Sequence, residues 1–344
     1  MRHTPQGDDD EVDVNPRYGT WTWILLAALI GGCTSAPQES RKTRTPHRRQ
    51  PAAAVTPQAP MPMAASARIE PARVDAPSER PADYDLAADR ERIREKVARD
   101  LGARSRVVVV AEQYVVGAPA GTGAVESAAP FMDSVLAALH NGRFRARPPR
   151  ALAVYLFPEA GSYEAFCRAQ FAGPCMSRFG FFSPAEGALV MNIGLGIGTL
   201  SHELVHPILA ADFPQAPTWI NEGIASLYEA PVLPRRGEIH GRKNWRHPRL
   251  VAALSSQSER EEAALHNLFG LSDEAFRGAK EDLHYATARY TCQWLDDHGK
   301  LWEFYQGWRD GYSDDRTGER AFTRAVGRSP EEANHDWTRW VLSL

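Results

Sequence analysis

Two histidines four residues apart, with a glutamate directly after the first, constrain this chain more than any other feature. They lie in GTLSHELVHPILAADFPQAPTWINEGIASLYE, residues 198 to 229. On a helix, positions i and i+4 are only about 40° apart around the axis, so His202 and His206 present their imidazoles on one face. Two neutral imidazoles so placed can hold one zinc ion. Glu203 stands beside that face, where a carboxylate can take a proton from a water on the ion without joining the coordination shell. A structural zinc site closes with four protein ligands, whereas a catalytic one uses three and keeps a position for water. Glu222 is the best candidate for the third. Pro217 and Thr218 read as a helix start, with Thr218 as N-cap, and Trp219, Ile220, Ile224, Ala225 and Leu227 suit a helix running to about Glu229. The turn-rich DFPQAP between the two helices predicts an antiparallel hairpin that brings Glu222 back to the histidines. An HExxH run also falls on ordinary surface helices, and it is the added Glu222 that argues for a metal site.

The run HELVHPIL followed by PTWINEGIAS resembles the gluzincin metallopeptidases, and most of all the peptidase MA-like group of bacterial envelope proteins, which carry HExxH and then a W-x-x-E-G-x-A helix. The resemblance covers roughly residues 84 to 344. It implies one zinc ion per chain held by His202, His206 and Glu222, with Glu203 as general base and a protein or peptide as substrate. By the same resemblance the strand before the HExxH helix, Ala188 to Ile193, is an edge strand that pairs with extended substrate through main-chain bonds, the plain alternative being an ordinary edge or inner strand between which the sequence does not choose. The tail from residue 283 resembles the group's Y-A pattern, followed by a helix and a terminal helical hairpin. That places Tyr285 as donor to the developing oxyanion, with His284 as the neighbour that could serve instead. The plain alternative for Tyr285 is a core tyrosine with its hydroxyl satisfied.

Two departures from the pattern matter. Pro207, directly after the second histidine, removes the helical bond to the carbonyl of Glu203 at a cost of about 3 kcal/mol and disfavours helical geometry at His206, which predicts a kink. Many gluzincins place an acid one turn after the glutamate ligand to support a metal-bound histidine; here that position is Ser226, and Asn221 or Glu229 would have to substitute. These departures carry the rival expectation, a catalytically weak or inactive peptidase fold acting as a tethered binding or scaffold module. Absence of a G-x-M-E-N stretch, which aminopeptidases of this clan use at the substrate amine, favours an endopeptidase.

Upstream, WTWILLAALIGG (21 to 32) is too short to span a bilayer as a helix, and it leads into Cys33. The sequence LIGGC resembles a bacterial lipoprotein signal, which implies a signal peptide over 1–32, lipidation of Cys33 and an exported protein anchored at the periplasmic face of a membrane. A signal peptide wants a positive start, yet Asp8, Asp9, Asp10, Glu11 and Asp13 outweigh Arg2 and Arg17; a translation start nearer Val12 or Val14 would remove most of that conflict. Residues 33–83 are rich in Pro, Ala and Arg and poor in large apolar side chains, so they read as a disordered tether. The basic run RKTRTPHRR within it reads as solvated linker.

The folded part is expected from Tyr84. A helix over LAADRERIREKVARDL is followed by a strand in RVVVVAEQYVV, a helix at about 124 to 140, a strand at 151 to 157, a helix over SYEAFCRAQF and a strand at 187 to 193. From Arg249 the pattern is helical to the end. The predicted fold is α+β: a small mixed sheet, then the HExxH zinc-helix hairpin (84–230 together), then an all-helical C-terminal lobe (231–344) of the same domain. The basic, turn-rich segment 231 to 249, with His240 and His247, reads as a solvated loop, the alternative being a cleft wall that meets acidic substrate groups. GLGIG at 194 to 198 lacks both the full GxGxxG pattern and a basic partner for phosphate, and reads as a strand-to-helix connection. A chain of 344 residues with 43% apolar composition can bury a substantial core, and a formal charge of −3 argues against a nucleic-acid partner. Cys167 and Cys175 are close enough in sequence to close a small disulfide loop in an oxidising compartment, whereas Cys292 reads as a buried thiol.

Overall fold

Period-two burial explains the sheet. In β3 (Leu152–Phe157), Leu152, Val154 and Leu156 enter one apolar core while Ala153, Tyr155 and Phe157 enter another. A strand buried on both faces needs a continuous apolar run, which is what ALAVYLF supplies. The structure, a computed structural model, describes residues 84–344. The signal-like segment, Cys33 and the tether expected over 33–83 lie outside the described residues.

The five strands are ordered β1-β2-β3-β5-β4. Strands β1 (Arg106–Val110) and β2 (Tyr114–Ala118) pair antiparallel, with Val110 opposite Tyr114. The stretch RVVVVAEQYVV is thus a hairpin rather than one strand. Its turn is made by Ala111 and Glu112 at φ +47° and +66°, a left-handed conformation reached without glycine. Strand β2 pairs parallel with β3, and β3 with β5 (Ala188–Asn192), Tyr155 lying opposite Val190. A short strand absent from the expectation, β4 (Gly180–Ser183), closes the sheet antiparallel to β5. The strand ahead of the HExxH helix is therefore inner, and the edge on that side is β4; this corrects the edge position expected for Ala188 to Ile193.

Helices α1 (Leu86–Leu101) and α3 (Ala160–Phe171) cover one face, contributing Ile93, Val97, Tyr163 and Phe166 to its core. Asp85 caps α1 by accepting from the amides of Ala87 and Ala88. A disulfide joins Cys167 of α3 to Cys175. The other face takes α2 (Ala124–Leu139) and α4 (Gly198–Asp212), and its core continues without a break from Val110 to Val341. Beyond α5 (Thr218–Leu227) come α6 (His247–Ser255), α7 (Leu265–Phe269), α8 (Asp273–Phe276), α9 (Glu281–Asp297), α10 (Leu301–Gly311), α11 (Glu319–Val326) and α12 (Pro330–Ser343). A mixed sheet followed by helices is the α+β architecture. Helix α9 is buried on most of its surface, packed against α5, α6, α7 and α10. Ser329 and Glu332 form the capping box of α12.

Candidate metal centre

Helix α4 continues through Pro207 as far as Asp212. Its first residues are fixed from beyond α5: Ser201 Oγ donates to the carbonyl of Tyr228 (2.6 Å), and the amide of Ala230 donates to the carbonyl of Gly198 (3.3 Å). At the start of α5, Thr218 is the first helical residue rather than the cap, which falls on Pro217. The Thr218 amide instead donates 2.8 Å to the Asp273 carboxylate of α8, so an acid from another element does the work expected of the threonine hydroxyl. Gly223, beside Glu222, lets α5 lie on α9: a β-carbon there would sit 2.8 Å from Cys292 Sγ and 3.0 Å from the carbonyl of Ala288.

These constraints bring four side chains together. Imidazoles of His202 and His206 lie with ring centroids 4.9 Å apart. The nearest ligand atoms of His202, Glu203 and His206 are all within 4.8 Å of one another. From α5, Glu222 Oε2 reaches 3.4 Å from His202 Nε2. All four are largely shielded, with side-chain exposures of 12%, 10%, 16% and 9% for His202, Glu203, His206 and Glu222.

The second row of contacts is ordered. His206 Nδ1–H donates to the Asn221 side-chain oxygen at 2.8 Å, which leaves the Nε2 lone pair facing the cluster. Of the three residues considered for this support, Asn221 alone makes it. Glu229 pairs with Arg246 (2.5 Å), and Ser226 is fully buried with no partner for its hydroxyl. The two oxygens of Glu222 differ sharply. Oε1 accepts 3.0 Å from Arg277 Nη2, while Oε2 is buried and turned to His202. Burial alone would raise the Glu222 carboxyl, but His202, His206 and Arg277 outweigh it and hold it far below the ordinary carboxylate range. For His202, burial favours the neutral ring, yet the carboxylates of Glu222, Glu203 and Glu229 prevail and raise its affinity for a proton.

Tyr285 Oη accepts from Arg277 Nη1 at 3.4 Å, which places it on the Glu222 side of the cluster. Burial and the Glu222 charge keep its phenol protonated well above the ordinary range, against the pull of Arg277. His284 is a different matter. Its Nδ1 bonds the Phe276 carbonyl (3.0 Å) and its Nε2 the Glu262 carboxylate (2.9 Å), leaving neither nitrogen to donate to a substrate. The structure thus corrects the alternative oxyanion role for His284: it is a buried tie between α9 and α8. From the basic segment 231 to 249, neither His240, bonded to Glu238, nor His247, bonded to the Val341 carbonyl, joins the cluster. Arg246 does approach it, lying 5.3 Å from the Tyr285 ring and 4.1 Å from that of Trp245, which is 60% exposed. Sequence reasoning missed Arg277 altogether and reached Arg246 only as one member of the basic segment 231 to 249.

An ion fits between these groups on two observations. Ligands at about 2.0–2.2 Å around a tetrahedral zinc stand roughly 3.4 Å from one another, which matches the His202 to Glu222 separation. Two imidazoles and a shielded carboxylate oxygen turned toward them are also the donor set that zinc takes. A comparison with known protein families finds no match, and a comparison with curated proteins finds no relative.

Proposed function

We propose that the chain is a zinc-dependent peptidase of the gluzincin kind, similar to the peptidase MA-like group, that hydrolyses internal peptide bonds of proteins in the bacterial envelope. The observation that carries this reading is the Glu222 carboxylate, with one oxygen anchored by Arg277 and the other buried and turned to His202 Nε2 at 3.4 Å, beside His206 and Glu203. His202, His206 and Glu222 would hold the ion on the zinc-helix hairpin. When bound there, zinc supplies Lewis acidity toward the scissile carbonyl and toward water. Glu203, on the same helix and excluded from bulk solvent, takes the proton of the attacking water and passes it to the leaving amine. Tyr285, its phenol kept protonated, donates to the oxygen on which negative charge develops. Extended substrate would add to the free edge of β4, which packs against α4 and is bonded only to β5 among the described residues.

The LIGGC sequence supports export and a lipid anchor at Cys33, with residues 33–83 as tether to the periplasmic face of a membrane. The rival, an inactive fold used as a binding module, drew on Pro207 and Ser226. Helix α4 does not end at the proline, and Asn221 takes the support of His206 that Ser226 does not give, which favours the enzyme reading. Substituting Glu203→Gln tests the reading: the variant should retain zinc and lose at least about 10²-fold in peptide hydrolysis, the usual cost of removing a general base. Undiminished cleavage by the variant would exclude this chemistry.

A further inference from the structure

Glu222 is held from the side opposite the histidines by a residue 55 positions further along the chain. Arg277 follows α8 directly, and α8 is clamped to α5 twice. Asp273 accepts from the Thr218 amide at the start of α5 (2.8 Å), and Arg277 Nη2 donates to Glu222 Oε1 one turn later (3.0 Å). The other arm of the guanidinium, Nη1, reaches Tyr285 Oη (3.4 Å) and Glu281 Oε1 (3.5 Å), both on α9. Beneath it, Phe276 is buried against the Tyr285 ring at 5.1 Å, and its carbonyl takes the His284 bond. Arg277 therefore has a fixed root and a planar fork whose two prongs engage Glu222 on α5 and Tyr285 on α9.

A carboxylate free to turn about its last torsion can offer a metal either oxygen or both. With Oε1 occupied by Arg277, only Oε2 remains, and that is the buried atom turned toward His202 Nε2 at 3.4 Å. We infer that Arg277 is a positioning residue that makes Glu222 a one-oxygen ligand and sets the distance between that ligand and Tyr285. This inference rests on the metal reading of the site. The fork geometry matters because a lysine, as a point charge, can meet one of the two partners but not both in fixed register.

The test uses the intact protein loaded with zinc. X-ray absorption at the zinc edge should find four nitrogen or oxygen neighbours at about 2.0–2.1 Å in the wild type. Arg277→Met should add an oxygen neighbour as Glu222 turns to chelate, and should weaken zinc binding by about 10–100-fold, the range seen when a residue supporting a ligand is lost. Arg277→Lys should recover most of the affinity while leaving peptide hydrolysis impaired in kcat more than in KM. Five or more neighbours in the wild type, a reading that needs no variant, would overturn the inference. So would an Arg277→Met protein with unchanged affinity and unchanged coordination. A wild type that binds no zinc would instead remove the metal reading on which the inference rests.

Discussion

One hydrogen bond sets the chemistry of His206. Because Asn221 Oδ1 can only accept, Nδ1 carries the hydrogen, and Nε2 is left with its lone pair toward the cluster, the atom that would bind the ion under the proposed function. Asn221→Ala should therefore lower zinc affinity by about 10–100-fold in a competition titration with a coloured chelator, with little change in the melting temperature of metal-free protein. An unchanged affinity would mean that the helix alone orients the ring. Tyr285 makes a second test at this scale: Tyr285→Phe should cost about 10²–10³ in kcat, and a loss below about tenfold would mean that the ring only packs against Phe276. Which residues matter was partly legible from sequence. His202, Glu203, His206 and Glu222 announce themselves through helical spacing and a two-helix pattern. Arg277 does not, because a single arginine between two short helices has no local signature, and its partner lies 55 residues away. His284 misled because its sequence neighbour Tyr285 faces the cluster, whereas at adjacent helical positions the two side chains point about 100° apart.

Between elements, the closest approach is α5 on α9 at Gly223. Gly223→Ala would force a methyl to within 3.0 Å of the Ala288 carbonyl, which cannot yield as a flexible side chain could. The expected cost is about 1–3 kcal/mol of stability, together with weaker zinc binding as Glu222 is carried off position. A variant with wild-type melting temperature would show that the helices have slack. Further along α9, burial raises the Asp296 carboxyl to about 6 against 3.8, with Arg143 and His240 opposing it and Asp297 adding to it. The native state thus holds its proton between about pH 4 and 6 while the unfolded chain has lost it, so stability falls as pH rises through that window. Asp296→Asn should melt with wild type near pH 4 and above it at pH 7.5, by on the order of 1–2 kcal/mol for a group that is partly exposed. A difference independent of pH would contradict this account. Most helices and the strands β3 and β5 could be read from periodicity. Strand β4, four residues in GFFS, is too short to show any period, and the β1–β2 turn hides because Ala111 and Glu112 are not turn formers.

Across the whole molecule, one buried carboxylate joins the sheet-bearing half to the helical lobe. Asp212, at the end of α4, accepts from the amides of Arg145 and Ala146 through Oδ1, and from Tyr305 Oη (3.0 Å) and Arg309 Nη1 (2.6 Å) of α10 through Oδ2. Asp212→Asn would remove the buried one of Arg309's two carboxylate partners, leaving Asp310 at 2.8 Å, and a loss of about 1–3 kcal/mol is expected in thermal or urea unfolding. Sequence could expect a helical lobe packed over α4 and α5 but not this tie, whose members are spread from residue 145 to 309 and have only the fold in common. The central claim, that this architecture exists to hold one catalytic metal ion, is tested most directly by zinc stoichiometry. Protein purified under metal-replete conditions should contain one zinc per chain, and His202→Ala and Glu222→Ala should each contain none while remaining folded. Zinc absent from the wild type, or retained at one equivalent in both variants, would contradict the three-ligand site.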